Sequence, residues 1–141
     1  MVNVRDITTM CKQGQVQKAY DLAKADLTAM PADVWTQRAI GWALYYMIKA
    51  DSEVGDYARL LGHIDELKSL DQLTLANDSM IFDNVQFQIA NFIKNPVFLR
   101  DIEASAKLST FFLKLKDYEF KSSKGHSFLL QTILKFENWP E

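Results

Sequence analysis

Apolar residues recur every three or four positions along almost the whole chain, which is the spacing that places side chains on one face of an α-helix. The clearest stretch ends at Pro31 and carries the apolar positions Val16, Ala19, Tyr20, Ala23 and Leu27. No segment alternates apolar and polar residues for long enough to predict a strand. The pattern therefore predicts an all-α protein.

The same spacing predicts where the neighbouring helices begin and end. A short helix is predicted before Gly14. After Pro31, Asp33 can cap a helix that runs from Val34 to about Lys49. The polar composition of residues 51–56 then predicts a loop.

Helical spacing continues to the end of the chain. Four more helices are predicted from apolar stripes over residues 60–70, 81–93, 99–115 and 128–136, which makes about seven in all. Asp78 is predicted to begin the second of these. Asn95 and Pro96 are predicted to stop that helix and to start the next, because proline fits the first helical turn.

Length and composition predict a single helical domain over residues 1–141. Five glycines and three prolines leave few breaks in the chain, which favours long helices joined by short turns. Sixteen basic and eighteen acidic residues give a net charge of -2, and this charge implies no general attraction to nucleic acid or anionic lipid.

The sequence also predicts a cytoplasmic location without membrane attachment. No apolar stretch approaches membrane-spanning length, and the first residues lack the pattern of a signal peptide. The only cysteine, Cys11, cannot form an internal disulfide. Cys11 is either a reactive thiol or an inert, part-buried side chain, and the absence of a nearby nucleophile motif favours the second.

Five positions follow the pattern of a known helical repeat. Gly14 stands where paired helices turn, Ala19 is a small residue in the second helix, and Pro31 closes the unit. Counting on from Pro31 places Ile40 and Gly41 where the next unit has a Leu-Gly pair. In this register the chain resembles the tetratricopeptide repeat family.

The resemblance covers about residues 6–50 and implies a right-handed stack of antiparallel helix pairs, an α-solenoid. A small residue at Gly41 would let neighbouring helices approach closely. The first unit departs from the family pattern, since Asp6 and Ile7 occupy its Leu-Gly positions. The second unit is stretched, because its turn glycine is Gly55, about two helical turns late.

A second, narrower pattern is carried by six short segments: Lys12–Gly14, Val34-Trp35, Arg38–Trp42, Tyr45-Tyr46, Ser127–Leu130 and Trp139-Pro140. Together they resemble the helical module of certain bacterial conflict-system proteins. In those proteins the module precedes an OB-fold or cold-shock-like RNA-binding domain. This resemblance implies that the chain is the N-terminal part of a longer polypeptide.

Residues that could support catalysis or bind metal are scattered. His63 and His126 have no histidine or cysteine at zinc-ligand spacing. No P-loop, dinucleotide fingerprint or nucleophile elbow is present, and the polar segment 123–127 has the composition of a loop. The adjacent acids Asp65 and Glu66 are predicted to lie on a solvated helix face. The sequence therefore predicts a protein that is not an enzyme and has no cofactor or metal.

Ligands of the repeat family lie along a concave surface formed by the first helix of each pair. The register places aromatic and basic residues on this surface in the second unit, namely Trp35, Arg38, Trp42, Tyr45 and Tyr46. Lys12 occupies the surface in the first unit. Trp, Tyr and Arg dominate binding hot spots, so the resemblance implies a protein or peptide partner. The alternative is that the aromatic residues belong to the core.

The C-terminal third offers a second candidate surface. A basic cluster that could follow a nucleic-acid backbone is formed there by Lys114, Lys116, Lys121 and Lys124. Interleaved acids and the lack of a base-reading motif favour an ordinary solvated helix face instead. The sequence therefore predicts a protein-interaction scaffold, with an accessory nucleic-acid-binding module as the alternative.

Overall fold

The computed structural model describes residues 3–94 together with Ser127 and Gln131. Residues 3–94 form five helices without a strand: α1 Val4–Lys12, α2 Val16–Ala29, α3 Val34–Val54, α4 Tyr57–Lys68 and α5 Leu75–Lys94. The prediction of an all-α protein is confirmed for this part of the chain. The stop at Asn95-Pro96 and the two predicted helices after it lie outside the described residues.

Polar side chains fix where three helices begin. Asn3 caps α1 and Asp56 caps α4, each by accepting a hydrogen bond from the amide three residues further on. Asp33 caps α3 as predicted, because its Oδ2 accepts from the Thr36 amide at 2.9 Å and from the Thr36 hydroxyl at 2.8 Å. These two hydrogen bonds lower the pKa of Asp33 from its usual value.

Two glycines make the turns that the sequence assigned to them. Gly14, between α1 and α2, has a φ of 83°, and Gly55, after α3, has a φ of 75°. Both lie in the left-handed region, where a residue without a Cβ atom avoids a steric clash. Gly55 is the C-cap of α3 and directly follows its last turn. A left-handed glycine at this position is a common helix ending.

The loop predicted over residues 51–56 is wrong for residues 51–54, because α3 continues to Val54. Asp51 and Ser52 are only 2% and 5% exposed. The Asp51 carboxylate pairs with His63 in α4, and the Ser52 hydroxyl approaches the Gln88 carbonyl of α5 at 3.5 Å. Polar residues typical of a loop are therefore helical here, because each has a partner in the interface.

Helix α3 lies at the centre and contacts each of the other four helices. Its buried side chains point in several directions, and Ile40, Leu44 and Ile48 are fully buried. Ala19 of α2 is also fully buried, as expected for a small residue at a close helix contact. Burial on several sides explains why α3 is apolar around most of its circumference.

Three contacts show that α3 and α5 run in the same direction. Arg38 pairs with Asp78 near the start of both helices, Gly41 faces Ile81, and Ser52 approaches Gln88 further along. Helix α4 runs the other way, because it follows α3 after the tight turn at Gly55 and its His63 meets the end of α3. Helices α3 and α4 therefore form an antiparallel pair.

One buried side-chain amide binds two loops to α3, and no sequence pattern predicts it. Gln37 is 2% exposed. Its Nε2 donates to the Pro31 carbonyl at 2.8 Å and to Asp71 Oδ1 at 2.7 Å, and its Oε1 accepts from the Gln72 amide at 2.8 Å. The loop at Pro31 and the loop before α5 are thus held by the same side chain.

A hydrogen bond between side chains joins α2 to α4. The Tyr20 hydroxyl lies 2.7 Å from both carboxylate oxygens of Glu66, to which it donates, and Lys24 lies 3.5 Å from the same carboxylate. Burial first, and then the contact with Glu66, raise the pKa of Tyr20 above its usual value. Of the two acids predicted to lie on a solvated face, Asp65 is exposed, whereas the Glu66 side chain is only 33% exposed.

We expect Tyr20→Phe to lower the free energy of unfolding by about 1 kcal/mol, because the substitution removes a hydrogen bond to a carboxylate. Lys24→Gln is the matched control, since an ion pair this exposed contributes about 0.5 kcal/mol or less. Urea unfolding at neutral pH measures both variants. Equal losses for the two would show that the hydroxyl contributes no more than the exposed ion pair.

The raised pKa of Tyr20 also gives the sign of a pH effect. The unfolded tyrosine ionises near its ordinary pKa of 10.0 and the folded one at a higher pH, so ionisation favours the unfolded state. The contribution of Tyr20 is complete below that ordinary value and is lost as the pH rises through the raised one. The free energy of unfolding should therefore fall less with rising pH in Tyr20→Phe than in the wild type.

Gly41 is a buried residue of α3 that faces Leu73 and, in α5, Ile81. A Cβ atom at this position would lie 3.2 Å from Leu73 Cδ1 and 3.3 Å from Ile81 Cδ1. We expect Gly41→Leu to lower the free energy of unfolding by about 2–4 kcal/mol through overpacking. Gln15→Leu is the control, because Gln15 is exposed and its side chain does not cap α2. Thermal unfolding with equal midpoints for the two variants would contradict this packing.

Candidate functional site

One face of α3 carries every residue that the sequence placed on the concave surface in the second unit. Trp35, Arg38, Trp42, Tyr45 and Tyr46 follow one another at helical spacing, and the same face continues through two charged residues further along the helix, Lys49 and Glu53. From first to last these positions span roughly 27 Å at about 1.5 Å per residue. We call this surface the α3 face.

An open cleft of about 460 Å³ lies at the beginning of the α3 face, and we call it the aromatic cleft. It is lined by Val4, Trp35, Arg38, Trp42, Asn77, Asp78, Met80 and Ile81. Trp35 is 60% exposed and Met80 is 67% exposed, whereas Ile81 is buried. Large apolar side chains that remain this accessible beside a cleft are typical of binding surfaces.

Arg38 is held by other residues of the cleft. Its Nε donates to Asp78 Oδ1 at 2.8 Å, and its guanidinium carbon lies 4.7 Å from the centre of the Trp35 ring. The side chain of Asp78 is only 4% exposed, and its second oxygen accepts from the Thr74 amide at 3.1 Å. The sequence placed Arg38 on the surface predicted to bind a partner. In the structure its charge compensates a buried carboxylate of α5.

Asp78 also marks a kink in α5 beside the aromatic cleft. Helix α5 starts at Leu75 rather than at Asp78, and the backbone of Asp78 departs from helical geometry with a φ of -122°. The first turn of α5, which includes Asn77, therefore lies before the kink, and Met80 and Ile81 lie after it. The expected start at Asp78 is therefore correct for the regular part of the helix only.

The middle of the α3 face is a row of three aromatic rings. Trp42 and Tyr45 meet edge to face with centroids 6.0 Å apart, and Tyr45 and Tyr46 do so at 4.8 Å. All three are half-buried and pack against the core. The core interpretation therefore holds only in part: Trp35 is exposed, and the other rings divide their surface between core and solvent.

A second open cleft, of about 480 Å³, lies at the far end of the α3 face, and we call it the lysine cleft. It is lined by Cys11, Lys12, Val16, Tyr46, Lys49, Ala50 and Glu53. Lys12 was predicted from the sequence, but Lys49 was not. Its position three residues after Tyr46 is the signal that places it on the same helix face.

Cys11 lies at the wall of the lysine cleft and is 5% exposed. Burial raises the pKa of its thiol, so the thiol rather than the nucleophilic thiolate is favoured. This agrees with an inert cysteine. Burial also raises the pKa of the adjacent Tyr46, with smaller contributions from Tyr45 and Cys11.

His63 and Asp51 form a close pair outside both clefts. His63 Nδ1 lies 2.5 Å from Asp51 Oδ2, and Arg59 Nε lies 3.6 Å from the other carboxylate oxygen. The Tyr20 ring meets His63 edge to face at 6.0 Å between centroids. His63 therefore lies at the interface of α3 with α4. Its visible role is to compensate the buried Asp51.

Within residues 3–94, Ser127 and Gln131, no group of three or more His, Cys, Asp or Glu side chains is arranged to hold a metal ion. Among the helices described, none is both long and apolar enough to cross a membrane. The basic cluster of Lys114, Lys116, Lys121 and Lys124 lies outside the described residues, as does His126.

Comparison of the chain with protein-family models, with curated proteins and with solved structures finds no match in any of the three.

Proposed function

We propose that this protein is a non-enzymatic interaction module of the tetratricopeptide type, which binds a peptide segment of a partner protein along the α3 face. The observation that carries this proposal is the exposure of Trp35, 60% accessible at the rim of an open cleft whose other wall includes Met80. A tryptophan left in water exposes a large apolar area, and such residues concentrate binding energy when a partner covers them.

The helix arrangement supports the repeat type. Helices α1, α3 and α5 provide the walls of the aromatic cleft, and α3 with α5 is a parallel neighbouring pair. Helix α4 returns antiparallel to α3, as the second helix of a repeat unit does. We propose that these units stack as a right-handed α-solenoid in which α1, α3 and α5 form the concave side.

The chemistry of the clefts supports binding rather than catalysis. In the aromatic cleft the two ionised side chains, Arg38 and Asp78, satisfy each other. In the lysine cleft the Cys11 side chain is 5% exposed, and its burial raises the pKa of the thiol and so disfavours the nucleophilic thiolate. A reduced, buried cysteine also fits the proposed cytoplasmic location.

The test is a selection of twelve-residue peptides displayed on phage against the purified chain, followed by binding measurements with the enriched peptides. We expect Trp35→Ala to weaken these peptides by about 10- to 30-fold, because truncation of a central aromatic residue removes a hot spot. The free energy of unfolding should fall by no more than about 1 kcal/mol, since the side chain is mostly exposed and its contact with the Arg38 guanidinium contributes about 0.5–1 kcal/mol.

Val54→Ala is the matched control, because Val54 is 72% exposed and lines neither cleft. Its peptide affinity should equal that of the wild type. Trp42→Ala and Tyr45→Ala are less informative, since both rings pack against the core and their loss would also lower stability. Enriched peptides that bind Trp35→Ala as well as the wild type would refute binding at the α3 face.

A further inference from the structure

The two clefts of the α3 face differ in charge. In the aromatic cleft the opposite charges of Arg38 and Asp78 cancel, and the accessible side chains are apolar. The lysine cleft contains Lys12 and Lys49 against the single acid Glu53. A partner that fills both clefts must therefore present different chemistry at its two ends.

The charges of the lysine cleft remain available for a partner. Lys12 is exposed and Lys49 is half-buried. No ion pair within residues 3–94 involves Lys12, Lys49 or Glu53. Val16, at the wall of the cleft, is also the first residue of α2, whose N-cap Gln15 makes no side-chain cap hydrogen bond. The negative end of α1, whose last residue is Lys12, lies at the same cleft, so the two helix ends oppose each other and the positive potential comes from the lysines.

The separation of the clefts limits the spacing of complementary groups in the partner. Arg38 and Lys49 represent the two clefts on α3 and lie eleven positions apart, or roughly 16 Å at about 1.5 Å per residue. An extended peptide covers this distance in about five residues at roughly 3.3 Å each. A helical peptide would need about eleven residues for the same reach.

We propose that the partner of the α3 face is an extended acidic segment. A bulky apolar side chain of this segment occupies the aromatic cleft beside Trp35 and Met80. About five residues away, acidic side chains lie in the lysine cleft against Lys12 and Lys49. This inference rests on the proposed function and adds to it the chemical class and the spacing of the ligand.

The experiment uses fluorescein-labelled synthetic peptides and the full chain, with affinity measured by fluorescence anisotropy. Each peptide carries one tryptophan and one Glu-Glu pair, separated by two, five or ten residues of a Gly-Ser spacer. A fourth peptide has Lys-Lys in place of Glu-Glu at the spacing of five. We expect the Glu-Glu peptide with a spacing of five to bind about tenfold more tightly than the other three.

Reversing the charge of both lysines tests whether the lysine cleft binds the acidic residues of the peptide. The double variant Lys12→Glu with Lys49→Glu should lose about tenfold in affinity for the acidic peptide and should prefer the Lys-Lys peptide. The double variant Lys18→Glu with Lys68→Glu changes the net charge equally at exposed positions outside both clefts, and it should keep the wild-type order. Circular dichroism checks that both variants remain helical.

The outcomes separate this inference from the proposed function. Binding that depends on Trp35 but is indifferent to the charge of the peptide or to Lys12 and Lys49 would overturn the acidic class alone. A tighter complex at the spacing of ten would overturn the extended conformation. Competition by a twelve-nucleotide single-stranded DNA as effective as the acidic peptide would overturn a peptide ligand in favour of a phosphate backbone. Binding of every peptide without dependence on Trp35 would overturn the proposed function as well.

Discussion

Helix α3 can bury its apolar side chains only because the other four helices of residues 3–94 cover it. Most of its circumference is therefore committed to packing, and Ile40, Leu44 and Ile48 are removed from water altogether. The part of its surface that the other helices leave uncovered is the α3 face. Since a covered helix cannot rotate or shift without breaking several contacts at once, the side chains of this face are held in a fixed register.

The polar residues of α3 define which helix lies on which side. Gln37 binds the loops that precede α3 and α5, Arg38 pairs with Asp78 of α5, and Asp51 pairs with His63 of α4. Each partner lies on a different segment, and the loss of one member would leave a buried polar group without compensation. These bonds therefore select one arrangement of helices that apolar contacts alone would permit in several forms.

The sequence predicted the described helices well and predicted their contacts poorly. The turn glycines Gly14 and Gly55 and the cap Asp33 are local signals, because each acts within a few residues of its position in the chain. The pairing of Arg38 with Asp78 spans forty residues, and neither side chain signals it locally. The same limitation explains why Asp51 was assigned to a loop: its polarity is visible in the sequence, but its partner His63 is not.

The same difference between local signals and long-range contacts applies to the candidate site. The spacing of Trp35, Trp42 and Tyr46 was enough to place them on one helix face, but whether an aromatic ring faces solvent depends on the length of its neighbours. Helix α1 has nine residues and α3 has twenty-one, about 13 Å against about 31 Å. The first residue of α1 lines the aromatic cleft, and its last residue, Lys12, lines the lysine cleft.

A short helix laid beside a long one thus leaves a cleft at each of its ends. The rings between the clefts are half-buried, so they lose little conformational freedom when a ligand covers them, and this lowers the entropic cost of binding. Arg38 is likewise held in place by Asp78 and Trp35 before any ligand arrives. The contacts that stabilise the fold around α3 therefore also preorganise the surface that we propose for binding.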